Sequence, residues 1–252
     1  MLVVIITMVN SVNAQGPPIT ADKPIMLGSK TTVVKTLTEI RKSNQGTFLS
    51  APILLHYLPT SNSLIGIHVP FTNYNFEDDL LKDGSSLGDI SILAKYQFYR
   101  KDGMGKTFRM VAKTLQTLPT GKSHNIDGIN TGEYQSYLAL IAGYESIKYG
   151  ISNELGYNLI PGNKRDELIY KLGFGLPLLK STYPVKQINL YFEYQNKWFV
   201  ETNDFLLLYA QGIQYAKGRI TVETAIQFPL DQTISEEEKR DYSLFLGTRF
   251  VF

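Results

Sequence analysis

The chain has 252 residues, with 25 Lys and Arg against 23 Asp and Glu, a balance that does not fit a dedicated nucleic-acid-binding protein. It contains no cysteine and three histidines, which excludes disulfides and thiolate catalysis and argues against a metal site. We expect no cofactor. No run approaches the roughly 20 apolar residues that a membrane-spanning helix needs.

The N-terminus differs in character from the rest of the chain. Residues 2–9 form a short apolar run, and Val12-Asn13-Ala14 resembles the small-residue cleavage site of a secretory signal peptide. The sequence therefore predicts an exported protein with a signal peptide over residues 1–14, with a buried first strand as the alternative. The following residues, 15–30, include the turn-forming "QGPPITADKP" and are predicted to be an exposed lead-in.

From Thr31 onward, apolar and polar residues alternate with a period of two, which is typical of strands with one apolar face. In "KQINLYFEYQNKWF", for example, Ile188 and Leu190 share one parity, whereas Asn189 and Glu193 share the other. Turn signals divide the chain into about twelve such runs. The runs are Thr31–Arg41, Thr47–Leu58, Ser63–Asn73, Leu87–Tyr99, Lys106–Leu118, Tyr134–Tyr144, Ile147–Ile160, Glu167–Leu178, Lys186–Phe199, Asp204–Tyr215, Arg219–Phe228 and Asp241–Phe252.

The lengths of the runs and of their connections indicate a membrane barrel. Most runs are roughly 10 to 13 residues long, whereas soluble strands have about five or six and tilted bilayer-crossing strands about 9 to 11. Every second connection tends to be long and polar, such as "PLDQTISEEEKRD", and those between tend to be tight, such as "AKG". The exceptions are "SNQG", "RKDGMG" and "LKSTYPV". This asymmetry is typical of outer-membrane barrels.

The sequence therefore predicts an all-β fold, an antiparallel transmembrane β-barrel of about 12 strands (about 10 to 14) over residues 31–252. Barrels of this kind lie in the outer membrane of Gram-negative bacteria. Outer-membrane lipid is accordingly a predicted partner, and nucleic acid is not.

The chain ends on Phe252 within a strand-like run, with no polar tail. Because lipid cannot satisfy an open sheet edge, a membrane sheet must pair its last strand with its first. We therefore expect this strand to close the barrel. In "GTRFVF", Gly247, Phe250 and Phe252 resemble the C-terminal signal read by the barrel assembly machinery, which becomes a predicted partner. Phe245 departs from that signal, which often has a polar residue there.

A second resemblance lies in the middle of the chain, over residues 85–121. Leu87-Gly88-Asp89 leads into a predicted strand, Ala94-Lys95-Tyr96 lies within it, and Leu118-Pro119-Thr120-Gly121 ends the next. This segment resembles the outer-membrane barrel family whose members are labelled meta-pathway phenol-degradation proteins or transporters. The resemblance implies a porin-like barrel that passes or binds a small solute, with hydrophobic and aromatic compounds as candidates.

The polar parity is predicted to face the lumen, because a Lys or Arg on the lipid face near mid-bilayer costs about 2 to 4 kcal/mol. The candidate lumen-lining residues are Lys95, Gln97, Lys148, Glu154, Lys171, Asn189, Glu193, Glu223, Gln227 and Arg249. Both signs of charge occur, so we expect no strong ion selectivity. The residues leave two possibilities open, a hydrophilic passage and a plugged lumen in which opposite charges pair.

Two other classes of protein remain as alternatives. Outer-membrane phospholipases are barrels of similar size that use a Ser and a His, and His56 and His68 lie in predicted strands. No local motif brings a Ser and an orienting group to either histidine, so we expect packed or interfacial histidines and no enzyme. A soluble exported sandwich or lipocalin-like binder would also alternate, but its apolar face would point inward.

Overall fold

The computed structural model describes residues 18–76, 83–121, 132–162, 165–179, 186–236 and 238–252. The predicted signal peptide and His124 lie outside these ranges. Within them the chain forms thirteen β-strands. The strands are β1 Thr31–Ser43, β2 Gly46–Thr60, β3 Ser63–Phe76, β4 Gly84–Leu87, β5 Ser91–Gly103, β6 Lys106–Thr117, β7 Gln135–Ser146, β8 Gly150–Leu159, β9 Glu167–Pro177, β10 Lys186–Phe199, β11 Asp204–Lys217, β12 Ile220–Gln232 and β13 Tyr242–Val251. Among the described residues, no helix is long and apolar enough to cross a membrane.

Strands that follow one another in the chain pair antiparallel, except that β4 and β5 both pair with β3, and the sheet closes through β1 and β13. β3 pairs with β5 along its first half and with β4 along its second half. β4 and β5 therefore act as one barrel strand, interrupted at residues 88–90. The result is a closed antiparallel barrel of twelve strands, which confirms the predicted fold.

The closing pair extends to the last residue of the chain. Val33 of β1 lies opposite Val251 of β13. One residue further along, the Phe252 N–H donates to the Thr32 carbonyl (2.8 Å) and the Thr32 N–H donates to the Phe252 carbonyl (3.2 Å). The Phe252 ring is 66% exposed on the outside of the barrel. The terminal residue is thus part of the wall.

The two faces of the sheet have opposite character. Apolar side chains such as Leu138 (59% exposed) and Leu155 (55% exposed) point outward. Polar side chains such as Asn189 and Gln214 point inward and are fully buried. A soluble sandwich or lipocalin-like binder would show the reverse, so that alternative is wrong. An apolar exterior around a closed sheet matches a lipid bilayer.

The two ends of the barrel differ in their connections. At the end that carries the terminal strand partners Thr32 and Phe252, here called the turn end, four of the five connections are short and the one from β9 to β10 is longer; the opposite end is the loop end. β5 and β6 pair as far as Gly103 and Lys106, so "RKDGMG" forms a tight turn in which Gly105 adopts a φ of 66°. The longer separations between β6 and β7 and between β12 and β13 join strand ends at the loop end. The predicted asymmetry is therefore present.

Candidate functional site

Residues 18–26, which precede β1, lie inside the barrel and are here called the plug. Ile19 is 2% exposed, Lys23 4% and Met26 8%, and Pro18 and Pro24 are also buried. The predicted exposed lead-in is therefore wrong for these residues. The local sequence is turn-forming, but its polar groups find partners on the barrel wall, which a local pattern cannot show.

One carboxylate on β10 holds the backbone of the plug. The Ile19 N–H donates to Oε1 of Glu193 (2.7 Å), and the N–H groups of Thr20 and Ala21 donate to Oε2 (2.7 and 2.6 Å). The Thr20 hydroxyl donates to the same oxygen (2.5 Å). Hydrogen bonds to an ionised acceptor are stronger than neutral ones, and Glu193 is buried. Glu193 therefore anchors three consecutive residues at once.

Two lysines on the wall bind the side chain of Asp22. The Lys95 ammonium donates to both carboxylate oxygens (2.6 and 2.5 Å), and the Lys113 ammonium lies 3.0 Å from Oδ2. Lys113 also donates to Glu154 (2.9 Å), which accepts a second hydrogen bond from the Tyr137 hydroxyl (2.7 Å). Asp22 belongs to the plug and to no membrane-spanning strand. Burial alone raises its pKa, but the two ammonium groups lower the pKa well below its usual value.

The next residue of the plug carries the opposite charge. Lys23 forms an ion pair with Glu145 of β7, and both side chains are almost fully buried. The Lys23 ammonium also lies 5.5 Å from the centroid of the Tyr191 ring, a favourable position over an aromatic face. Adjacent plug residues are therefore held by wall groups of opposite sign. We call the contacts of Asp22, Lys23 and Glu193 the plug contacts.

Apolar side chains secure both ends of the plug. Ile19 packs against Tyr191 and its neighbours in one buried cluster. Met26 packs with Leu58 and Leu64 in another, near the turn end. Full burial of such side chains stabilises by about 1.5 to 3 kcal/mol each. The plug is thus held by packing as well as by charge.

Two glycines of the wall make room for the plug. A Cβ atom at Gly143 would lie 2.7 Å from Cδ of Pro24, and one at Gly173 would lie 3.0 Å from Cγ of Pro18. Real Cβ atoms essentially never come within 3.0 Å of another atom, so a larger residue at Gly143 would force a shift, whereas at Gly173 the Pro18 ring would have to give by a few tenths of an ångström. The wall is therefore shaped for the docked plug.

Other interior charges pair between strands, without the plug. The Lys35 ammonium lies 3.0 Å from Oε1 of Glu223, and the Lys197 ammonium lies 3.0 Å from Oε1 of Glu167. Gln214 donates to the other oxygen of Glu223 (2.7 Å). We call the two ion pairs the wall pairs. Both partners of each are fixed by the sheet.

The structure places most of the predicted lumen-lining residues on the interior face. These are the buried Gln97, Glu154, Asn189, Glu193, Glu223, Gln227 and Arg249 and the partly buried Lys95 and Lys171. Of the predicted assembly-signal residues, Phe250 and Phe252 are exposed on the outer face and Gly247 faces the interior, where an added Cβ would lie 2.8 Å from Oε1 of Glu223. The structure does not test recognition by the assembly machinery.

Lys148 is the exception, because it is exposed in the turn between β7 and β8. The sequence predicts a turn at residues 144–146, but the chain turns at 147–149. The Ser146 hydroxyl accepts hydrogen bonds from the N–H groups of Lys148 and Tyr149 (3.2 and 3.1 Å). A side chain that satisfies backbone groups in this way stabilises a tight turn. Lys148 is therefore no part of the barrel interior.

Several interior residues escaped the sequence-based prediction. Lys113 lies on the polar parity of β6, so its alternation could have identified it. Glu145 falls in the segment predicted as a turn. Asp22 and Lys23 belong to a segment without any periodic pattern, and only the folded chain brings them to the wall.

The two strand histidines face each other inside the barrel. Nε2 of His56 lies 2.9 Å from Nε2 of His68, and both side chains are partly buried. Across the described ranges, no serine hydroxyl lies within hydrogen-bond distance of either ring, so the geometry gives no Ser-His pair. The same ranges contain no cluster of three or more His, Asp or Glu side chains that could hold a metal ion. The histidines are packed interior residues.

The sequence was compared with families and with curated proteins. No family model matches the sequence, and no curated protein matches it. The predicted membership of the phenol-degradation family therefore stays a prediction.

In structure, the chain is similar to the COG4313 outer membrane channel from Pseudomonas putida F1, with a TM-score of 0.63 at 14% identity, covering 91% of this chain and 98% of that one. It is similar to the KdgM porin in complex with disordered oligogalacturonate, with a TM-score of 0.57 at 9% identity, covering 87% and 99%. It is also similar to the β domain of the Bordetella autotransporter BrkA, with a TM-score of 0.53 at 13% identity, covering 89% and 100%. The fold is therefore that of a bacterial outer-membrane β-barrel.

Proposed function

We propose that this protein is a channel-type barrel of the outer membrane whose passage for a small solute is closed by the plug. The proposal is supported by the hydrogen bonds that three consecutive backbone N–H groups of the plug donate to the Glu193 carboxylate. Residues 18–26 form no backbone hydrogen bond to any described strand. Side-chain contacts alone can be broken without opening the wall, so the plug is suited to move.

The solved barrels of the same fold include a channel and a porin, which supports this class of function for the present chain. An enzyme is not proposed, because neither described histidine has a serine partner.

A permanently plugged binding or structural barrel is the second candidate. The filled interior favours it, since Asp22 and Lys23 are both ion-paired and both ends of the plug are packed. In that case the plug would never leave during function. The two candidates differ in whether weakening the plug contacts opens a passage.

Conductance of the refolded protein in a planar bilayer separates the candidates, after a heat-modifiable gel band has verified folding. The test variant is Glu193→Gln, which removes the charge but keeps the shape. Losing the charge at these hydrogen bonds costs about 1.5 to 3 kcal/mol, so the open fraction should rise roughly 10- to 100-fold. Lys148→Gln in the exposed turn is the matched control and should behave like the unaltered protein. A folded but silent Glu193→Gln barrel would contradict a movable plug.

A disulfide lock provides a second test. The chain has no cysteine, so two engineered cysteines could form a disulfide only with each other. Cβ of Ala21 lies 3.5 Å from the Cβ position at Gly173, within the range that disulfides require. In a Glu193→Gln background, Ala21→Cys with Gly173→Cys should close the channel when oxidised and reopen it when reduced. Equal conductance in both states would count against the plug as the gate.

A further inference from the structure

The two ends of the barrel carry exposed charges of opposite sign. Within the described ranges, the exposed charged side chains at the loop end are all carboxylates, those of Asp83, Glu201, Asp231, Glu236 and Asp241. At the turn end they are lysines and arginines, with Asp102 as the exception, and Asp102 is ion-paired with Arg100. The net charge of the chain is only +2, but its charge is separated along the barrel axis.

The exposed lysines and arginines of the turn end are here called the basic belt, because they are spread around the barrel. Arg100, Lys101 and Lys106 lie at the turn between β5 and β6, and Lys217 and Arg219 lie at the turn between β11 and β12. Lys30 precedes β1, Lys148 lies between β7 and β8, and Lys186 begins β10. Apart from Arg100, no member of the belt lies within 4 Å of a described carboxylate. The belt is therefore able to bind an anionic partner.

The basic belt lies at the edge of the apolar outer wall. Tyr215 and Lys217 share the outward face of β11, and Tyr215 is 38% exposed. Ile220 directly follows Arg219 and is 47% exposed. A bilayer has the same order along its normal, with hydrocarbon first and the charged headgroups beyond it. Lysine and arginine side chains at this depth extend toward the headgroups.

We infer that the basic belt binds anionic phospholipids in the leaflet that surrounds the turn end. The short turns of outer-membrane barrels face the periplasm, so this is the inner leaflet. Lysines and arginines close to a membrane surface attract lipids with a net negative charge. This inference goes beyond the proposed function and does not depend on it.

The distribution of the basic belt favours lipid over an acidic periplasmic protein. Members of the belt lie beside β1, β6, β8, β10 and β12, and thus on all sides of the barrel. A docked protein would contact one sector of such a belt, whereas lipid surrounds a barrel completely. The apolar side chains next to Lys217 and Arg219 also match lipid, because each phospholipid offers an acyl chain together with its headgroup.

The test compares the lipids that contact the two ends of the same barrel. Trp198 is the single tryptophan of the chain, lies on the outward face of β10 close to Glu201, and is 42% exposed, so it reports on the loop end. Tyr215→Trp in a Trp198→Phe background moves the reporter to the turn end, beside Lys217. Both proteins are refolded as full chains in mixed bilayers of phosphatidylglycerol, which is anionic, and phosphatidylcholine, which is zwitterionic.

Fluorescence quenching gives the relative association of the two lipids when one of them is brominated in the acyl chain close to the headgroup. At the turn-end reporter, phosphatidylglycerol should associate roughly fivefold more strongly than phosphatidylcholine, the effect of about one basic side chain near an anionic surface. At Trp198 it should have no advantage. The preference should weaken in about 1 M salt, where the screening length is about 3 Å.

Two matched variants of the turn-end reporter protein test the residues. Lys217→Gln with Arg219→Gln removes two exposed charges beside the reporter and should abolish the preference. Glu201→Gln with Asp231→Asn removes two exposed charges at the loop end and should leave the preference unchanged. Heat-modifiable gel bands verify that each variant is folded.

Three results would overturn the inference. Equal association of the two lipids at the turn-end reporter would do so, and it would leave an acidic protein as the partner of the belt. The same preference at both reporters would assign it to the bilayer, and its persistence in the Lys217→Gln, Arg219→Gln protein would assign it to other groups. The belt lies outside the barrel interior, so the conductance of this variant should match that of its parent.

Discussion

The barrel interior contains two kinds of ion pair with similar distances. In one kind both residues lie on barrel strands, and in the other kind one residue lies on the plug. In the wall pair Lys35–Glu223 the atoms are 3.0 Å apart, and both residues lie on strands fixed by the hydrogen-bonded sheet. In the plug contact Lys95–Asp22 they are 2.5 Å apart, but Asp22 lies on a segment without strand pairing. The same chemistry can therefore stabilise the wall in one place and hold a movable element in the other.

The largest effect should come from removing one carboxylate of each kind. Glu193→Gln weakens the plug contacts and should open the channel, as described above. Glu223→Gln leaves the partly buried Lys35 ammonium without its ion-pair partner, which should lower the free energy of unfolding by about 3 kcal/mol. Urea unfolding and bilayer conductance measure the two effects. If Glu223→Gln opened the channel as strongly as Glu193→Gln, the distinction between the two kinds of pair would be wrong.

Steric displacement of the plug should give the next largest effect. Gly143→Val places a Cβ atom 2.7 Å from Cδ of Pro24, so the plug should shift and the open fraction should rise about tenfold, equivalent to about 1.4 kcal/mol. Ala142→Val is the matched control, because the side chain of Ala142, next to Gly143 in the strand, points to the outside of the barrel. Single-channel recordings compare the two variants. Equal openings in both would show that the space at Gly143 has no bearing on the gate.

Acidification should affect the plug less, and only at low pH. The ionised Asp22 faces Lys95 and Lys113, with Glu154 beyond them, and its pKa in the docked plug is lowered. Its stabilisation is therefore complete above the ordinary Asp pKa of about 3.9 and is lost as the pH falls through the lower docked value. Protonation of Asp22 should therefore make no contribution to opening between about pH 7 and pH 5. An Asp22→Asn protein should be more open than the unaltered protein throughout this range, and equal open fractions in the two proteins would contradict this assignment.

The smallest effect on the gate should come from the end of the chain. Deleting Phe252 removes two backbone hydrogen bonds to Thr32 at the closing seam, worth about 1 kcal/mol each. The yield of folded barrel in cells should fall, whereas the conductance of molecules that do fold should stay the same. Heat-modifiable gel bands measure the yield. An unchanged yield would remove the proposed role of this residue in closure and assembly.

The sequence by itself determined the architecture, because alternation, run length and connection length are local properties of a strand. It placed β10 at residues 186–199, as the structure does, and assigned Glu154 and Asn189 to the polar face correctly. Since one residue of slip would turn every apolar side chain inward, the pattern leaves little freedom of register. Lys148 was misplaced because the Ser146 hydroxyl moves the turn, and this bond is not visible in the alternation.

Only the tertiary structure decided what fills the barrel. Asp22 meets Lys95 across 73 residues of sequence, and Ile19 meets Glu193 across 174. Their segment has no period, no strand partner and a turn-forming composition, so a local reading predicts exposure. Strands are fixed by regular repeating contacts that leave a trace in the sequence. The plug is held by single contacts between distant residues, and these exist only once the barrel has closed around it.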